Sequence, residues 1–189
     1  MSNSELSNGH GSRAYEVRYH NCKLGKMEVT DLSTGHSLYT LDGGSYGGLV
    51  TCVNSNNVVV GNGKTSSWKT SVSINMTGAA LGGSPTSFAT HTGKIIGGSP
   101  KFTSPAFGGQ EMTWKNKAMS TKIIYTLIDQ TGTSLARFES AGMKWKKVGK
   151  LEIVDAVTDQ AQVDEIVVTV LTLLYRKLVE NSTAAVVTT

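Results

Sequence analysis

The sequence predicts a mainly β domain that threads one apolar helix, near its C-terminus, through the interior of a closed sheet. Three observations predict it. Short segments alternating apolar and polar residues recur along most of the chain, with turn-forming residues about every 8 to 12 positions. Glycine is abundant (21 residues) and proline scarce (3), and only 17% of the side chains are charged. That composition suits short strands joined by turns and lacks the Ala, Glu and Lys of a helical bundle. Finally, one segment, residues 166–175 (IVVTVLTLLY), breaks the two-residue period and is apolar on every face.

The elements follow in order. Residues 1–12, rich in Ser, Asn and Gly, read as a disordered tail, 13–181 as a single domain, and 182–189 as a polar C-terminal tail. Residues 14–19 (AYEVRY) alternate as a half-buried strand does, as do 26–30 (KMEVT) and 37–41 (SLYTL), and Asp31 and Thr34-Gly35 punctuate between the last two. A glycine-dense turn from Asp42 to Gly48 precedes strands at 49–53 (LVTCV) and 57–60 (NVVV). In 66–76, Trp68, Val72, Ile74 and Met76 share one parity. From Gly78 to Gly109, Gly-Gly pairs and all three prolines break the chain into short strands and turns. Further strands are expected at 111–115, 122–129, 135–139 and 144–155, roughly a dozen in all, the pattern of a sandwich or barrel.

At residue 159 the period changes. Asp159 is placed to cap a helix, Asp164 and Glu165 to sit in its first turn, and Arg176 and Lys177 in its last, as the helix dipole favours. A helix apolar all round must be enclosed on all sides. Ten such residues are too few to cross a bilayer, which takes about 20. A long central strand is the alternative for this run, since short apolar segments fit both.

The segments around Trp114, Thr126-Leu127-Ile128-Asp129, Leu135-Ala136-Arg137-Phe138, Gly149-Lys150-Leu151-Glu152-Ile153 and Asp164-Glu165-Ile166-Val167-Val168-Thr169, leading to Leu173-Leu174-Tyr175-Arg176-Lys177, carry a resemblance. In this order they resemble the tubby C-terminal-like superfamily, which includes the LURP-one-related proteins and phospholipid scramblases. They look most like its uncharacterised fungal tubby-like members. The resemblance covers about residues 111–180. It implies a closed barrel of about twelve short strands around one buried apolar C-terminal helix at about 160–180. It also implies a binding module that reads phosphoinositide-like headgroups through a basic surface, although the lysine–arginine pair of tubby proteins has no aligned counterpart here. The cysteine cluster of scramblase-like members is absent from this sequence.

Charge is unevenly spread. Residues 61–150 hold 12 basic and 3 acidic side chains, a net of +9, against −1 for residues 1–60 and −4 for residues 151–189. The middle block is therefore the expected face for an acidic partner. Within it, Lys144, Trp145, Lys146, Lys147 and Lys150 crowd into seven positions. Lysines beside a tryptophan suit an anionic membrane interface, and less well nucleic-acid phosphates. The plainer reading is an edge strand whose lysines block edge-to-edge pairing.

Sites for chemistry are poorly supported. Gly43-Gly44-Ser45-Tyr46-Gly47 matches the G-x-S-x-G nucleophile elbow, but strands rather than a helix follow it, and no acid lies between Ser45 and His91, the only later histidine. Gly61-Asn62-Gly63-Lys64-Thr65 has the end of a phosphate-binding loop without its first glycine or its helix. His10, His20, His36 and His91 are scattered, and Cys22 and Cys52 read as reduced core thiols, with a bridge between them the alternative. No catalytic residue, metal or cofactor is expected. The expectation is a non-enzymatic, intracellular (cytoplasmic) binding module, peripheral at the membrane if it meets acidic lipid. The alternative is a structural or protein–protein interaction domain without a small ligand.

Overall fold

A computed structural model describes residues 11–20, 25–44, 49–65, 71–77, 86–91, 99–119, 122–142 and 147–186. The strands are β1 (Ser12–Tyr19), β2 (Lys26–Asp31), β3 (Ser37–Gly43), β4 (Leu49–Asn54), β5 (Val59–Lys64), β6 (Ser71–Met76), β7 (Thr86–His91), β8 (Lys101–Ser104), β9 (Gln110–Met119), β10 (Lys122–Ile128), β11 (Ser134–Ser140) and β12 (Lys147–Val154). One helix, α1 (Gln160–Val186), follows. The fold is mainly β: one antiparallel sheet and one C-terminal helix. Each strand pairs with its neighbours in sequence, and β1 pairs with both β2 and β12. Among the described residues the narrowest step is β7 to β8, joined through His91 and Lys101.

Two-residue alternation sends one face inward in the strands whose side chains are described. Tyr15 and Val17 of β1, Met27 and Val29 of β2, Val72, Ile74 and Met76 of β6, Met112 and Trp114 of β9, Phe138 of β11 and Leu151 and Ile153 of β12 are all buried. Polar and charged side chains take the alternate positions and face outward. Several strands depart from their expected bounds, and β9, expected at 111–115, runs from Gln110 to Met119. Of the run 66–76, the described residues form β6 over Ser71–Met76, and Trp68 lies outside them. The run 57–60 starts two residues late, because the Asn54 side chain accepts hydrogen bonds from the amides of Asn56 and Val58 (both 3.0 Å). That turn holds Asn57 at φ 58° and delays pairing until Val59.

The apolar segment is a helix, not a central strand, and every residue from Val163 to Tyr175 is buried. Asp159 caps it: Oδ1 accepts from the Ala161 amide (2.9 Å). Both charge placements need correction. Asp164 and Glu165 fall beyond the first turn, and Arg176 and Lys177 are not in the last, because the helix runs on to Val186 and takes in part of the expected polar tail. Neither glycine nor proline stops it after residue 180, and Arg176 pairs with Glu180 one turn on (2.8 Å).

Glycines let the helix approach the sheet. Gly61 and Gly63 of β5 point inward, and a methyl group at Gly63 would overlap the side chain of Thr172. One at Gly61 would lie 2.9 Å from a Val168 methyl. The glycines that suggested a phosphate loop are therefore the floor on which α1 lies, within a strand.

Candidate functional site: a basic outer face

The outer face of β9 to β12 and β1 carries most of the described basic side chains. Of the five residues expected to meet an anion, Lys144, Trp145 and Lys146 lie outside the described residues. Lys147 and Lys150 are on β12, and each is ion-paired. Lys147 Nζ lies 2.7 Å from Glu16 of β1, and Lys150 Nζ lies 2.7 Å from Glu152 of its own strand. Glu16 also receives the Arg18 guanidinium. Lys150 stands opposite Glu16 on one side and Glu139 on the other. Glu139 in turn holds Lys122 (2.7 Å) and Arg137 (3.0 Å).

Lys122, Arg137, Glu139, Lys147, Lys150 and Glu152 rim a shallow depression of about 470 Å³. Gly149 lies beneath it, where a methyl group would run into the Glu139 carbonyl and the Phe138 ring. Glu16 and Glu139 are held ionised. Hydrogen bonding from Lys147 lowers the pKa of Glu16, and hydrogen bonding from Lys122 lowers that of Glu139.

β9 adds two lysines that the sequence reading passed over. Trp114 and Asn116 alternate with Lys115 and Lys117, and the lysines are exposed. Lys115 stands opposite Thr126 and Lys117 opposite Ile124, both uncharged. The signal was present in the same alternation that placed Trp114 inward.

Polar groups inside the sheet belong to the helix anchorage. Tyr39 of β3 donates to Asp164 (2.6 Å), and Gln160 donates to the same carboxylate (2.7 Å). Glu165 accepts from the Ser104 hydroxyl and from the Ala106 amide (3.2 Å). The Trp114 indole donates to Thr169 (3.1 Å), and the Tyr175 hydroxyl to the Gly44 carbonyl (2.5 Å). Burial raises the pKa of Glu165 and pushes the free Cys52 thiol up to about 12. Ser45 and Cys22 lie outside the described residues, and strand β4 follows the Ser45 segment. His20 lies 3.7 Å from Glu28, His36 is exposed in a turn, and the described residues hold no group of three side chains able to share a metal ion.

No family model matches the chain. No curated protein matches it either. Among solved structures, that of the Arabidopsis thaliana protein AT5G01750 superposes with a TM-score of 0.52 at 11% identity, covering 84% of this chain and 88% of the other. At that identity the likeness is one of fold.

Proposed function

We propose that this chain is a non-enzymatic binding module of tubby-like build, a closed barrel around α1, whose basic outer face meets acidic membrane lipids. The fold reading is supported by the pairing of β1 with both β2 and β12, by the burial of α1 over residues 163–175, and by the likeness to the Arabidopsis protein. The observation that carries the functional reading is the gathering of Lys115, Lys117, Lys122, Arg137, Lys147, Lys150 and Arg18 on adjacent strands of one outer face. Such a field draws a protein to an anionic surface, and the attraction decays within a Debye length of about 8 Å at physiological salt.

Co-sedimentation with vesicles tests this, neutral phosphatidylcholine against the same lipid containing a phosphoinositide. Binding should require the anionic lipid and should weaken steeply as salt rises. Equal binding to both vesicles, or none at low salt, contradicts the proposal and points to a protein-interaction domain.

A further inference from the structure

The basic face divides into two parts with different charge balance, and this gives the proposed lipid contact an address. On β12, β11 and β1 the cations are interleaved with carboxylates: Lys147 and Arg18 with Glu16, Lys150 with Glu152, and Lys122 and Arg137 with Glu139. Exposed ion pairs are weak, so these lysines could swing free. The carboxylates would remain, however, and Glu16 is itself almost buried, at 7% exposure. An incoming phosphate would meet three carboxylates among these five cations.

On β9 the balance differs. Among the described residues Lys115 and Lys117 make no ion pair, and their cross-strand neighbours are Thr126 and Ile124. Glu139 stands beyond Ile124, across β10, and is already held by Lys122 and Arg137. Glu111, on the same strand, is held by Lys101 (2.9 Å). Lysines two positions apart on one strand project from the same face about 7 Å apart, close enough to act on one membrane surface.

We infer that, granted the lipid reading above, Lys115 and Lys117 of β9 make the contact with anionic headgroups, while Lys147 and Lys150 serve the sheet by neutralising Glu16 and Glu152. The full-length double variants K115A/K117A and K147A/K150A, with wild-type protein, separate these roles on the phosphoinositide and neutral vesicles. Each lysine lost from an anionic surface weakens binding about fivefold, so K115A/K117A should bind roughly 30-fold more weakly, with its melting temperature unchanged because both side chains are exposed. K147A/K150A should lose clearly less, no more than about fivefold, because these cations add only to the long-range field, and should melt lower, because Glu16 loses its Lys147 partner. Equal losses in the two variants, or a loss confined to K147A/K150A, overturn the assignment and leave lipid binding intact. If wild-type protein shows no preference for the anionic vesicle, the assignment falls together with the lipid reading.

Discussion

At the scale of single residues, steric room and buried charge explain positions that composition leaves ambiguous. Gly61 and Gly63 look like phosphate-loop glycines in the sequence, yet their neighbours Val168 and Thr172 show that they are absent side chains beside a helix. Only long-range packing separates those readings. The residues proposed for anion contact were half legible for the same reason. A cluster of lysines around Trp145 is visible along the chain, but the ion pairing of Lys147 and Lys150 depends on which strands lie beside β12. Glu165 supplies a prediction at this scale. Burial raises its folded pKa above the ordinary glutamate value of 4.5. The stability it contributes is therefore present below that value and lost as pH rises through the folded pKa. Glu165→Gln keeps an acceptor for the Ala106 amide and offers its NH2 group to the Ser104 hydroxyl oxygen, without a charge to bury. Its melting temperature relative to wild type should rise between pH 4 and pH 7 in thermal scans. A difference that stays flat or falls would mean that Glu165 is not a buried, ionising acid.

At the scale of elements, strand positions were legible wherever alternation decided them, as in β1, β2, β9, β10 and β11. Their ends were less so, because a side-chain turn at Asn54 or the reach of a helix past residue 180 has no period to betray it. The helix itself was legible because a run apolar on all faces has few physical solutions. Leu171 sits at its midpoint with no exposure. Leu171→Asp would bury an unpaired carboxylate as well as remove apolar packing, at a cost of several kcal/mol, enough to unfold a domain of ordinary stability. Leu171→Met, close in volume, should cost under about 1.5 kcal/mol. Circular dichroism melts of both variants check this, and a Leu171→Asp protein that melts like wild type would contradict the burial of the helix.

At the scale of the whole molecule, the sheet and helix need each other. The strands turn their apolar side chains toward α1, and α1 has no polar face to offer water over residues 163–175. Four polar anchors at Asp164, Glu165, Thr169 and Tyr175 tie it to β3, to β8 and the turn after it, to β9, and to the end of β3, so the helix meets the sheet from several directions. This interdependence could be anticipated from the sequence as a need for enclosure, whereas the anchoring partners could not, since each lies more than 50 residues away along the chain. Amide hydrogen exchange along α1 measures the enclosure most directly. Amides of residues 163–175 should exchange only through global unfolding, as slowly as those of β1 and β12, with protection declining toward Val186. Exchange across 163–175 much faster than in the strands would show a helix that opens independently of the sheet, and would contradict a helix enclosed at its core.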